Sequence, residues 1–592
     1  MIFDKHINDI SSLILKYFQN SKIDDKHIQL QKTRKEFTGD WTVVIFPLLK
    51  YSNESIESTA NNLGVYLKDH LNYITSFNIV KGFLNLEFSD QFWFDALDFS
   101  FLKNFEINES RDQNIVIEFS SPNTNKPLHL GHLRNILLGD AMANILKTDG
   151  YNVSKVQVIN DRGIHICKSM LAWLKFGRDA TPDSENMKGD FFVGKYYVLF
   201  EQKYQLEQRD LIDSGMSEEQ AKSKSKLLSE AKNMLLQWEA GDESVMELWK
   251  KMNSWVYAGF EETYKKLGVT FDKNYYESQT YLIGKKNVLK GIDKQVFYSE
   301  KDASVWIDLS EYGLDKKILL RSDGTAVYIT QDIGTAILRY DDFQFHKMIY
   351  TVGNEQNYHF EVLFKILEKM GFQWSNNLFH LSYGMVSLPD GKMKSREGNV
   401  VDIDELIFDV RQKAKVIIQD SNKFNNSQEN TKSIDELSEV IGDAALKYFI
   451  LKTDAKKNML FNTEESIDFN GHTGPFIQYT YARIQSILKS AKKWNRVCHV
   501  DRTLLLEEKN LIQIIINYPN VINNSATNLN PSLLANYLYN LAKNYNHFYQ
   551  KHRILGLENK IDMDFRITIS EKVSILISCG MNLLGVNVPQ KM

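Results

Sequence analysis

Residues 114–148 place a short apolar run, a polar loop and a helical repeat in direct succession, and few folds accept that order. Ile115–Phe119 is apolar apart from Glu118, which predicts a buried strand. Leu133, Ile136, Leu137, Ala141 and Ile145 then recur at helical spacing. Between them runs Glu118-Phe-Ser-Ser-Pro-Asn-Thr-Asn-Lys-Pro-Leu-His-Leu-Gly-His-Leu-Arg134. The helix therefore starts at two histidines, His129 and His132, with Gly131 leaving room for a flat ring or a backbone. A helix start presents unpaired N–H groups and a partial positive charge, so an anionic phosphate is at home there.

Further apolar runs at Val153–Ile159, Val327–Thr330, Met348–Val352 and Leu381–Val386 alternate with helical segments. That alternation predicts βαβ units and a parallel sheet. Residues 175–266 form a charged, mostly helical stretch, including Glu218–Glu239, and are read as an insertion between two halves of the sheet. Before the sheet, residues 1–110 mix helical patterns with strand-like runs at Val43–Phe46 and Phe83–Phe88. After Asp402 the pattern is all-helical, and Leu534, Leu538, Leu541, Tyr545 and Phe548 share one helix face. Tyr537, Tyr539 and Tyr549 on the same segment could stack on bases or fill a core.

A second basic cluster, Gly391-Lys392-Met393-Lys394-Ser395-Arg396-Glu397-Gly398-Asn399, follows a strand run. A glycine-flanked basic loop suits neutralisation of phosphate charge in a transition state. Tyr328 and Asp332 stand four apart at a helix start, and Glu118 ends the first strand beside Ser121 and Asn123. Two carboxylates and a phenol converging on one pocket fit a guanidinium, whose planar fork pairs with carboxylate.

The chain has 592 residues, too many for one domain. No apolar stretch reaches the roughly 18–20 residues of a membrane span. Cys167, Cys498 and Cys579 are far apart without a Cys-x-x-Cys pair, which argues against a disulfide framework or zinc knuckle and for a reducing cytoplasm. All three are expected to be buried small hydrophobes. Net charge is −4, yet from Gly471 onward 14 Lys/Arg face 7 Asp/Glu, a net of +7. A basic C-terminal module on an acidic body suits an RNA partner.

Taken together, the 118–134 run and the 391–399 cluster resemble the paired nucleotide-binding signatures of class I aminoacyl-tRNA synthetases, in the form found in arginyl-tRNA synthetases. The class pattern Lys-Met-Ser-Lys-Ser is read here as Lys392, Met393, Lys394, Ser395, Arg396, with Ser395 in place of the usual second lysine. Many arginyl enzymes relax that lysine and carry one before the first histidine motif, where this chain has Lys126. Gly353-Asn354-Glu355-Gln356-Asn357-Tyr358-His359-Phe360, Asp468–Arg483 and the tail Leu584–Met592 also resemble that family.

The resemblance implies a multidomain α/β chain. Residues 1–110 would be an N-terminal tRNA-elbow-binding domain and 111–400 a Rossmann-type catalytic domain carrying the 175–266 insertion. Residues 401–470 would be a linker or helical stem, and 471–592 a helical anticodon-binding domain. It further implies an arginine–tRNA ligase whose partners are L-arginine, ATP and arginine tRNA. Mg²⁺ would travel with ATP and not sit in a dedicated protein site.

Lys126, His129, His132, Lys392 and Lys394 would be catalytic; Gly131, Met393 and Ser395 would join them at ATP. Glu118, Ser121, Asn123, His132, Tyr328, Asp332 and Gln356 would hold arginine. Family members as a rule need bound tRNA before activating the amino acid, and a monomer is the default state. No Gly-x-Gly-x-x-Gly follows the first strand and no Walker-A loop is present, against an oxidoreductase or P-loop enzyme. A zinc enzyme would need ligands beyond His129 and His132. The Tyr328/Asp332 pair and the whole-length resemblance disfavour a class I synthetase for another amino acid; a non-catalytic tRNA-binding paralogue has Ser395 for it and intact Lys126, His129, Gly131 and His132 against it.

Overall fold

The computed structural model describes residues 2–19, 23–34, 36–102, 110–389, 401–420 and 428–592. Its centre is a five-stranded parallel sheet of β1 (Asn114–Glu118), β2 (Asn152–Ile159), β3 (Lys273–Tyr276), β4 (Lys347–Gly353) and β5 (Leu378–Tyr383), in the order β5-β4-β1-β2-β3. The chain enters at the middle strand and winds outward in both directions. The crevice where strand order reverses lies past the carboxyl ends of β1 and β4, the place where open α/β sheets bind ligands.

Helix α1 (Leu130–Thr148) connects β1 to β2 and is buried along most of its length. It lies against β1 because Gly139 has no side chain: a Cβ there would sit 2.2 Å from the Phe119 ring. The 175–266 segment is helical, as its pattern predicts, although Glu218–Lys224 and Lys226–Glu239 are two helices separated at Ser225. Ser225 breaks the run by capping the second helix, accepting from the Leu228 N–H. The segment lies between β2 and β3, which pair with each other, so it falls within one half of the sheet and not between the two halves; it ends in α2 (Glu243–Leu267), just before β3.

Val327–Thr330 is not a strand. Val327 precedes α4 (Tyr328–Phe343), which packs on α3 (Glu277–Asp293). Ile329 and Thr330 are buried at this helix–helix contact while Tyr328 is exposed, and so short a run does not separate strand from helix.

Residues before β1 form a four-stranded antiparallel sheet ordered Leu30–Lys32, Trp41–Val44, Phe83–Phe88, Ile74–Val80. This unit rests on the C-terminal helices, where Asp40 accepts from Lys509 and Gln513, each at 3.0 Å. In the C-terminal region Leu534, Leu538, Leu541, Tyr545 and Phe548 are all fully buried on one helix face. Tyr537 is core as well, its hydroxyl donating to the Ile514 carbonyl. Tyr539 stacks on His472, and of the three tyrosines only Tyr549 is exposed. Cys167 is buried, but Cys498 is half-buried and Cys579 exposed, so the expectation for the cysteines holds for one of three. Among the described residues no helix is long and apolar enough to cross a membrane.

Candidate active site

The backbone turns sharply after β1. Ser120 and Ser121 both take positive φ, +69° and +46°, a conformation L residues adopt only when held there. The Ser120 N–H donates to the Asn135 side chain, and the Ser120 and Tyr264 hydroxyls meet at 2.7 Å. Ser121 Oγ donates to Glu118 Oε1 at 2.8 Å. The loop then crosses the β2 end, where the Thr124 N–H donates to the Asn160 carbonyl, and reaches Lys126 and the histidines.

His129 is the N-cap of α1: its Nδ1 accepts the Gly131 N–H at 3.2 Å. His132 Nδ1 accepts the His129 N–H at 3.1 Å. Each ring therefore has its Nδ1 lone pair engaged, which puts the remaining hydrogen on Nε2. The ring centroids are 3.9 Å apart. A Cβ on Gly131 would be 3.0 Å from the His129 ring, so the glycine makes room for its own neighbour. Burial and the nearby Lys126 charge lower the His129 pKa to about 4, and burial, His129 and Lys126 push His132 well below its usual value. Burial also lowers that of Lys126. Both imidazoles are neutral at pH 7, so they act as N–H donors and not as cations.

Lys392, Met393, Lys394 and Ser395 lie outside the described residues. The next described residue, Val401, accepts the Leu130 N–H at 3.1 Å, and the Ile403 N–H returns to the Leu128 carbonyl at 3.2 Å. The segment following the second basic cluster is thus laced onto the first histidine motif. Arg134, buried one turn inside α1, donates to the carbonyls of Gly384, Met385, Asp454, Ala455 and Lys457. It ties α1 to the segment that precedes that cluster and to the 454–457 loop.

On the other side of the crevice α3 and α4 cross at two glycines. A Cβ on Gly284 would lie 1.8 Å from the Thr330 carbonyl oxygen, and one on Gly334 2.3 Å from that of Thr280. This close crossing brings Glu277, the first residue of α3, beside Gln331 and Asp332 of α4. Glu277 is buried, and its pKa rises to about 8, mainly by burial and further by the Asp161 and Asp332 charges, against the pull of Arg162. Asp161 is held by Ser278, through both N–H and hydroxyl at 2.8 Å, and by the Tyr257 hydroxyl of α2. Arg162 is already occupied by Glu239 and lies over the Tyr281 ring. Asp332 meets His359 Nε2 at 2.6 Å, on α5 (Asn357–Lys369). Tyr328, Asn123 and Gln356 are exposed around this opening.

Glu118 is arranged differently. Its Oε2 is paired with the wholly buried Arg339 of α4, whose guanidinium sits over the Tyr275 and Tyr350 rings. With Ser121 on its other oxygen, Glu118 is already satisfied within the protein.

The crevice thus joins a neutral-donor, helix-N-terminal end to an acidic end. A family model described as tRNA synthetases class I (R), catalytic domain, matches residues 100–463, and one for a DALR anticodon binding domain matches 477–592. The arginine–tRNA ligase of Bacteroides thetaiotaomicron is 50% identical over 590 residues, 98% of each chain. This chain belongs to the class I arginyl-tRNA synthetase family. A second curated family member, from Flavobacterium psychrophilum, is 52% identical over 579 residues, 95% of this chain and 96% of its own. The solved Thermus thermophilus arginyl-tRNA synthetase shares the fold, with a TM-score of 0.77 at 21% identity over 99% of this chain and 100% of that one.

For a member of this family, the sequence left several site residues unassigned. Glu277 carried no motif; the glycines that bring it to Asp332 are 50 residues apart and meaningful only once the helices cross. His359 lay in the quoted 353–360 run without a role. Arg134 closed the first motif, but its five carbonyl partners lie about 250 residues or more away.

Proposed function

We propose that this chain activates L-arginine with ATP to arginyl-adenylate and pyrophosphate, then transfers the arginyl group to the terminal ribose of arginine tRNA. The observation that carries the reading is the Glu277–Asp332 pair. A buried carboxylate beside a second one, with no lysine or arginine bonded to either among the described residues, is the negative image of a guanidinium. Glu118 is moved from guanidinium ligand to framework: neutralised by Arg339, it orients Ser121. Tyr328 borders the side chain; Ser121, Asn123 and Gln356, with His132, hold the α-amino and carboxylate end.

The arginine carboxylate attacks the α-phosphorus in line, forming the C–O–P bond as the bond to pyrophosphate breaks. Neutral His129 and His132 donate Nε2–H toward the phosphates at the start of α1, and Lys126 offsets the negative charge that builds up on the leaving group. Lys392 or Lys394 shares that task with Met393 and Ser395 around the nucleotide, and Mg²⁺ comes with ATP as part of the substrate. Asp332 and Glu277 reject uncharged analogues, which leave both acids unpaired, and reject lysine, whose ammonium cannot fill the fork.

Residues 1–110 contact the tRNA elbow and 471–592 the anticodon. A pocket of about 460 Å³ lined by Phe476, Tyr479, Arg483 and Met592 gives a base a stacking surface, with Arg483 lying 4.9 Å from the Tyr479 ring. The chain acts as a monomer in the cytoplasm, which sedimentation and fractionation test. The decisive assay is pyrophosphate exchange into ATP across the twenty amino acids, with and without arginine tRNA. Exchange with arginine only, and only with tRNA, is expected. Tight tRNA binding without exchange would make the chain a binding paralogue instead.

A further inference from the structure

His359 occupies the outer face of Asp332. Its Nε2 lies 2.6 Å from Asp332 Oδ2, while the Asp332 side chain keeps 41% of its surface open. The pair bridges two helices, α4 and α5, at the mouth of the crevice, three residues past Gln356. The other ionisable groups that bear on His359 are Lys317, from the strand Lys317–Leu320, and His380 of β5. Glu277 bears on Asp332 from behind.

We propose that His359 is the resident counter-cation of Asp332, standing in for the guanidinium in the empty pocket and losing its ring proton to solvent when arginine binds. This rests on the reading of Asp332 as a guanidinium ligand. A guanidinium stays charged at any pH a protein tolerates, whereas an imidazolium gives up its proton near neutrality. When both face one carboxylate, the imidazolium is the one that yields. Burial opposes the charged ring, but the hydrogen bond and charge of Asp332 outweigh it and hold His359 above its ordinary 6.5. Asp332 therefore favours the charged ring in the empty protein. One proton leaves, one substrate cation arrives, and the net charge at Asp332 is conserved.

The consequence is a linkage that only a titrating partner produces. With Glu277 replaced by Gln, arginine affinity climbs with pH, by up to about tenfold per unit for one proton, and flattens above the pKa of His359 in the empty pocket. Below that point the histidine also protects Asp332 from unproductive cations of weaker fit. His359 is a positioning residue, acting on substrate through Asp332.

Glu277 gives up a proton on arginine binding too, being raised to about 8 in the empty site, so the experiment must separate the two. Arginine binding to the full chain is measured by titration calorimetry at pH 6.5 in buffers of different ionisation enthalpy, which counts protons released. The wild-type protein should release more than one proton. Glu277→Gln should still release about half to one, and Glu277→Gln with His359→Gln none, with the pH slope of affinity gone. A Glu277→Gln protein that binds arginine and releases no proton overturns the proposal. If the variants do not fold, wild-type release of one proton or fewer does the same. Unchanged arginine binding in Asp332→Asn would instead defeat the pocket reading itself, separately from His359.

Discussion

Glu118 and Asp332 face the same crevice from neighbouring elements, and each has a basic side chain at hydrogen-bond distance, yet the roles proposed for them are opposite. The partner of Glu118 is Arg339, buried and unable to release its proton. The partner of Asp332 is His359, partly exposed and able to release one. A carboxylate bound to a permanent cation is framework; one bound to a titratable cation remains available to a stronger one. Sequence alone ranks the two acids equally, because the identity of the partner, and not of the acid, sets the role.

The widest test of that contrast is Asp332→Asn. It should lower kcat/KM for arginine by about 10²–10⁴, the equivalent of about 3–5 kcal/mol for a cation left without its carboxylate, while the KM for ATP and the melting curve stay close to wild type. Arg339→Met should behave in the reverse way. It strands a buried Glu118 anion and should destabilise the protein by about 3–5 kcal/mol in urea unfolding, and adding Glu118→Gln should restore most of that loss.

Glu277→Gln sits between the two. Arginine KM should rise about tenfold to a hundredfold for loss of a charged hydrogen bond. Stability should move the other way. With a pKa of 4.5 unfolded and about 8 folded, native Glu277 binds the proton more tightly, so it destabilises progressively as pH climbs from 4.5 to 8. Removing the charge should therefore raise the melting temperature more at pH 8 than at pH 6, and equal shifts at both would contradict the burial argument. The smallest effect is expected at Tyr537→Phe, which drops a hydrogen bond to a backbone carbonyl. It should cost about 1 kcal/mol of stability and leave tRNA affinity unchanged.

Local signals were legible in the sequence. The strand-to-helix junction at 114–148, the two histidines at its helix start and the helical face of 534–548 all follow from spacing, because neighbours in sequence form them. The parallel sheet also followed from alternation, although the Val327–Thr330 run was ambiguous between a strand and a buried helix turn. Glu277 was hidden because its approach to Asp332 depends on the Gly284–Gly334 crossing, a tertiary event. The pairing of Glu118 with Arg339 spans 221 residues, and no periodicity announces it. His129 and His132 were correctly located, but their neutrality came from burial that only packing supplies.

The central claim is that an acid pair bonded to no permanent cation selects a cationic side chain. Citrulline, arginine's neutral isostere, tests it most directly, in pyrophosphate exchange with arginine tRNA present, comparing wild type with Asp332→Asn. The account predicts that wild type favours arginine by at least about a hundredfold and that Asp332→Asn collapses the ratio by losing arginine alone. Equal losses with both substrates would mean that Asp332 shapes the pocket without reading its charge, and the account would fail.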